Sequence, residues 1–424
     1  GAWRAIVDDP FGHTVHLDSE DSPTGRGVFF ILTLSCEGEP SLLGLSNYES
    51  EITMQTTAQP SIVTPLSVGA PSRVNWPHAA WFLGLTFGLT WLADLVLYLN
   101  GGLTSPITAL LLQFQMLLPA FSAMVLGAFF FRESPIYYRS NRTASRWFVY
   151  FYLLLTVLYL IGLIASLVQP EQTMTISSLL LFPNLVGLLL LVVLRWRGGR
   201  EAFAGAGLAG GKWHVWLVYG IGLVAFYALQ TFLNYVFKLG QVVDLTAAFP
   251  QLAANLPAPA LMLMMALNTV IVGPFLGLII TFGEEYGWRG YLQSELTRLG
   301  RIRGVFLLGV FWGIWHWPVI WMGYNYPGQP ILGSFAMVFF CVILSYFLAY
   351  AVFKSNGIWT AAYLHALSNQ AFSFFAMTMV MPASMLFSFG IGIPSLVLGA
   401  IVVLLILRDP VWKVTEPSRS EEKA

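Results

Sequence analysis

The feature that limits this chain most is a succession of long apolar runs. After residue 80 they recur ten times, at 81–99, 107–131, 147–168, 177–194, 215–237, 260–282, 304–322, 332–353, 357–377 and 385–407. A helix of about 20 apolar residues matches the hydrocarbon thickness of a bilayer. Inside lipid the backbone must satisfy its own hydrogen bonds, which leaves helices or closed barrels. Runs of this length exclude barrel strands, so the expected fold class is all-α: a polytopic helical membrane protein of about ten spans. Composition agrees, with 57% hydrophobic and only 10% charged residues, against roughly 25% charged in soluble domains. Connections carry turn residues such as Asn100-Gly101-Gly102 and Tyr326-Pro327-Gly328. Gly273-Pro274 inside the sixth run predicts a kink, because Pro lacks a backbone donor and clashes with the preceding turn.

Residues 1–78 differ from the rest, being rich in Ser, Thr, Pro, Gly, Asp and Glu. That composition points to a mostly disordered segment. Met54 is the first Met, so a natural start near it is the alternative to a long N-terminal segment. The organisation expected is this segment, five N-terminal spans over 79–240, a second helical region over 241–408 and a tail over 409–424. The two cysteines, Cys36 and Cys341, have neither metal spacing nor a disulfide framework. A net charge of zero implies no nucleic-acid partner.

The basic residues orient the spans. With both termini in the cytoplasm, 20 of the 21 Lys and Arg fall on the cytoplasmic side and only Lys238 falls outside. The short loops carry this bias by themselves. The expected location is therefore an integral, multi-pass protein of the plasma membrane, in contact with anionic lipid.

Polar clusters interrupt three of the later runs. Glu284-Glu285 and Arg289 follow directly after the sixth run, where charge is expensive unless paired or solvated. Glu285 and Arg289 are one helical turn apart and are expected to pair. Glu284 points about 100° away and stays available for chemistry. His316 lies within the seventh run, and His365 and Asn369 share one face of the ninth. Counted from the cytoplasmic ends, the two histidines lie about 18 and 12 Å deep, at about 1.5 Å per residue. A lone histidine in a span reads as bonded to a neighbouring carbonyl. Together with the glutamates, these groups are expected to meet in one wet pocket open to the cytoplasm.

Such a pocket suits peptide hydrolysis. A glutamate and a neutral histidine share a water and remove its proton, while a second histidine and an asparagine donate to the oxyanion. The same groups, Glu284, His316 and His365, also have the donor types of a zinc site. Spacing does not choose between a zinc and a metal-free mechanism, and no His-Glu-x-x-His motif is present.

The pattern Glu284-Glu285 with Arg289, Trp312 with His316, and His365 with Asn369 resembles the CPBP family of intramembrane peptidases. This family includes the CAAX prenyl proteases and bacteriocin-processing proteins and is also called the ABI family. The resemblance covers roughly 261–377. It implies that Glu284 activates water with His316, that His365 and Asn369 form the oxyanion site, and that Glu285 and Arg289 orient the others. The family usually has Phe where this chain has Trp312. The implied substrate is a peptide or lipidated protein at the membrane. A proton-coupled transporter, and an immunity or binding protein that no longer cuts, are the competing classes. Among other polar residues, Asp94, Gln113, Gln115, Asn184, Asn234 and Asn268 are expected to hydrogen-bond between helices.

Overall fold

The computed structural model describes three strands within 4–34 and then residues 73–139 and 143–413. The chain divides into two units, 1–58 and 59–424. In the first, β1 (Arg4–Asp8), β2 (Thr14–Glu20) and β3 (Phe29–Leu34) form an antiparallel sheet in the order β1-β2-β3. These strands fall in the segment whose composition pointed to disorder. Val15, Leu17 and the apolar run of β3 supply the β-forming residues that an averaged composition hides. The rest of that segment and the alternative start at Met54 lie outside the described residues.

The second unit is a helical bundle with helical structure at all ten expected runs. The first half comprises α1 (Trp76–Leu99), α2 (Thr108–Val125), α3 (Thr143–Val168), α4 (Thr173–Gly205) and α5 (Trp213–Val236). After β4 (Gly240–Val242) come two single turns, α6 (Leu245–Ala248) and α7 (Pro250–Ala253). The sixth run is then broken into α8 (Ala258–Leu267), α9 (Gly273–Leu276), α10 (Leu278–Glu285) and α11 (Gln293–Leu296). Next follow α12 (Arg301–Trp315), α13 (Trp317–Trp321), α14 (Pro330–Ser355) and α15 (Ile358–Phe374). The short strand β5 (Val380–Pro382) pairs antiparallel with β4 before α16 (Ile393–Ile406).

Among the described residues, seven helices are long and apolar enough to cross a membrane, so this is an integral membrane protein. The seventh, ninth and tenth expected runs fall short of that length: α12 stops before Pro318, α15 gives way to a wide π turn at Phe375–Met379, and α16 has 14 residues. The kink expected at Gly273-Pro274 takes the form of a wide turn at Asn268–Val272, followed by a break at Gly277. Widening the turn relieves the clash of a proline ring with the turn before it.

Alternation of the helices gives the bundle two ends. At one, Gly210 bridges Gly357, Arg298 donates to the Arg73 carbonyl at 3.3 Å, and Lys354 pairs with Asp409 at 2.8 Å. Lys354 holds the Asp409 carboxyl below its ordinary pKa range. At the other end, β4 pairs with β5, Tyr326 donates to the Ile391 carbonyl at 2.8 Å, and Asn234 donates to the Phe389 carbonyl at 2.8 Å. The first end carries Arg73, Arg132, Arg139, Arg298 and Arg303, whereas Lys238 is the basic residue of the second among the described residues.

Candidate active site

The site begins where α10 presses against α2. A Cβ at Gly283 would run into the Met116 carbonyl, and one at Gly287 would run into Pro119. Two glycines four apart let the backbones approach closely, as in small-residue helix contacts. This contact seats Glu284 and Glu285 in the interior, at 3% and 0% exposure. Directly after them the helix opens into a π turn over Tyr286–Leu292, a geometry frequent at functional sites.

The expected ion pair is present: Arg289 Nη1 lies 2.9 Å from Glu285 Oε1, with both side chains fully buried. The same oxygen accepts from His365 Nδ1 at 2.8 Å. Arg289 also donates to Ser345 Oγ at 3.2 Å and lies 4.0 Å from the centre of the Trp312 ring. Burying this pair is costly, and the added hydrogen bonds and the cation–π contact offset that cost. Glu285 is thereby committed to holding its neighbours.

Glu284 has a different environment. Its Oε2 accepts from Trp312 Nε1 at 2.6 Å, and no described side chain bonds its Oε1. Trp312 thus does more than supply an aromatic wall: the indole N–H that replaces the family's usual Phe fixes one oxygen of this carboxylate. Ser345 is a contribution that sequence reasoning missed, because a lone serine in an apolar helix has no distinguishing pattern.

His316 stands at the break between α12 and α13. Its backbone N–H turns to the Gly313 carbonyl at 3.2 Å, and Pro318 cannot extend the α12 ladder. The Trp312 carbonyl then pairs with His316 Nδ1 at 2.8 Å. A carbonyl only accepts, so Nδ1 carries the hydrogen and Nε2 is left with its lone pair in the neutral ring. The carbonyl-bonded reading of a histidine in a span and a chemical role are therefore compatible here. The His365 ring lies 5.5 Å and the His316 ring 6.0 Å from the Trp312 ring. His365 is held on α15 by two cross-helix bonds nearby: Thr281 Oγ1 to the Ala362 carbonyl at 2.9 Å, and Tyr227 to Ser368 at 2.8 Å.

Glu284, His316, His365 and Asn369 all line one cavity of about 540 Å³. Asn369 is exposed to it. Glu285 and Arg289 do not line it, and Trp312 does. The cavity differs from expectation in its direction. It continues past Leu103, Gly323, Tyr324, Asn325, Pro327 and Met385, at the arginine-poor end. Towards the arginine-rich end, residues 278–296 are buried apart from Gly290, and Trp288 packs between Phe82 and Trp315 at 5.7 and 6.0 Å. The charged segment therefore closes the site where it was expected to open it.

Among the described residues, no three His, Cys, Asp or Glu side chains stand close enough to hold a metal ion. Glu284 is held by Trp312, His316 Nδ1 by a carbonyl and His365 Nδ1 by Glu285. These bonds leave Glu284 Oε1 and one ring nitrogen of each histidine free, so hydrogen bonding does not choose between a zinc and a metal-free mechanism; the spacing of the three side chains is what departs from a zinc set. Asp94 is buried and accepts from Gln115, which itself lines the cavity. Asn184 donates to Tyr159 at 2.7 Å, as expected of an interhelical contact.

Comparison with known proteins bears on the same stretch. Residues 261–371 match the family model described as type II CAAX prenyl endopeptidase Rce1-like. A stretch of 73 residues is 36% identical to the "CAAX prenyl protease 2" of Methanococcus maripaludis, covering 16% of this chain and 27% of that relative. The chain thus spans about a quarter of the length of the curated relative it matches. No solved structure matches it.

Proposed function

We propose, from the likeness of residues 261–371 to the CAAX prenyl endopeptidases of the CPBP family, that the protein is an intramembrane endopeptidase that hydrolyses a peptide bond in a membrane-associated protein by glutamate-activated water. One observation carries the reading. Glu284, His316, His365 and Asn369 face a single cavity while Oε1 of the adjacent Glu285 is taken by Arg289 and His365.

In this reading Glu284 accepts a proton from a water also held by His316 Nε2. The water oxygen bonds to the scissile carbonyl carbon, and the carbonyl becomes an oxyanion. His365, as the imidazolium whose Nδ1–H stays on Glu285, donates to that oxygen through Nε2–H, and Asn369 donates beside it. As the C–N bond breaks, the proton on Glu284 passes to the leaving amine. Glu285 and Arg289 orient His365 and the Trp312 ring. The arginine-rich end lies in the cytoplasm, by the basic-residue bias, and the membrane is the plasma membrane.

The test uses the purified protein in detergent with lipidated and plain membrane-anchored peptides, with and without chelator. Glu284→Gln keeps the shape but cannot take the proton. It should lower cleavage about 10²–10⁴-fold with an unchanged unfolding temperature. A near-normal rate for Glu284→Gln, beside a folded but dead Glu285→Gln, would reverse the two carboxylates. Loss of activity with chelator would overturn the metal-free mechanism.

A further inference from the structure

The direction of the cavity bears on what reaches the site. Two independent observations fix the relation of cavity to charge. Its walls run from Glu284 to the loops at 100–107, 322–330 and 380–392, which the β4–β5 pairing and the Tyr326 to Ile391 bond gather at one end. The arginine-bearing loops lie at the other end, behind the buried segment 278–296 and the Phe82, Trp288 and Trp315 rings. Arginine-rich short loops stay in the cytoplasm. We infer that the site is entered from the face opposite the cytoplasm, and that its substrate is an uncharged, extended segment of a membrane-anchored protein on that face rather than a cytoplasmic C-terminal tail. The inference rests on the peptidase reading for its substrate and on geometry alone for its side.

The lining supports the substrate class. Among the described residues facing the cavity, Glu284 is the one carboxylate, and there is no Lys or Arg. A terminal carboxylate drawn into this cavity would find no Lys or Arg on its walls and would meet the like charge of Glu284, which costs free energy. Tyr324, Phe340, Phe372, Met337 and Met385 instead offer apolar and aromatic surface to an extended chain.

Side and substrate are tested separately on the whole 424-residue chain. In a background with Cys36→Ser and Cys341→Ala, single cysteines are placed at cavity-lining Ser373 and Met385, and at exposed Arg303 on the arginine-rich end. Ser373→Cys and Met385→Cys should react with a membrane-impermeant maleimide in intact cells, with no gain on permeabilisation. Arg303→Cys should react only after permeabilisation. Protection of both cavity cysteines until the cells are opened would overturn the sidedness, while leaving the peptidase reading intact. For the substrate, one uncharged reporter segment is displayed on either face beside a single anchoring helix. Cleavage on the outer face, lost in Glu284→Gln, supports the inference; cleavage only on the cytoplasmic face overturns it. Cleavage on neither face, with the labelling as expected, would sink the peptidase reading and its substrate class while the sidedness stands.

Discussion

Helix α4 and the segment α10 to α11 are both apolar, yet they answer to different surroundings. Helix α4 runs over Thr173–Gly205 with no acid or histidine before Glu201 near its end, and its Phe182 and Leu189 are 70% and 67% exposed. The α10–α11 segment is interrupted by a π turn and is buried almost throughout. Lipid is the solvent of the first, and other helices are the solvent of the second. A regular helix up to the break at Gly199 suits an element with one face on lipid and the other on α3. A charged and irregular one persists only where protein supplies partners, as Arg289 and His365 do for Glu285 Oε1 and Ser345 does for Arg289.

Substitutions at graded positions should break this contrast or sharpen it. The largest effect after Glu284→Gln is expected for Arg289→Ala, which leaves Glu285 buried and uncompensated. It should cost about 3–5 kcal/mol of stability, read as lost folded protein in thermal unfolding in detergent. An unfolding temperature equal to wild type would mean that Glu285 finds solvent. Asn369→Ala comes next. As an oxyanion donor exposed to the cavity, it should lower the cleavage rate about 10²–10³-fold with KM little changed. A rise in KM at constant kcat would instead assign Asn369 to substrate binding.

Trp312→Phe restores the residue usual in the family and removes only the indole N–H on Glu284. A hydrogen bond to a charged group is worth about 1.5–3 kcal/mol, so kcat should fall by roughly one to two orders of magnitude, with the fold retained. An unchanged kcat and pH profile would make Trp312 a wall and nothing more. The smallest effect is expected on the lipid-facing helix: Leu189→Ala on α4 should change stability by no more than about 0.5 kcal/mol, as surface substitutions do. A loss comparable to that of Arg289→Ala would mean that the Leu189 face of α4 also packs against protein, and the contrast would fail.

Much of the site could be read in the chain because its parts are charges and histidines in runs that otherwise lack them. The pairing of Glu285 with Arg289 follows from helical spacing, and the distinct environment of Glu284 follows from the angle between neighbours. Ser345 and the wider role of Trp312 could not be read in this way. Each acts across helices, on a partner 56 or 28 positions away, and local pattern does not encode such contacts.

The sequence by itself determined the class of the fold, the membrane setting, the unequal charge of the two ends and the residue types available for hydrolysis. These follow from the cost of exposing backbone and charge to lipid, which is paid residue by residue along the chain. Tertiary structure alone decided which further groups hold Glu285 and Glu284, how His316 and His365 each keep a ring nitrogen free, and toward which end the cavity runs. The last point turned on packing: glycines at 283 and 287 let α10 close against α2, and Trp288 filled the space toward the arginines. Close packing depends on shape complementarity between distant segments, so it left no periodic mark by which the open end could be told from the closed one.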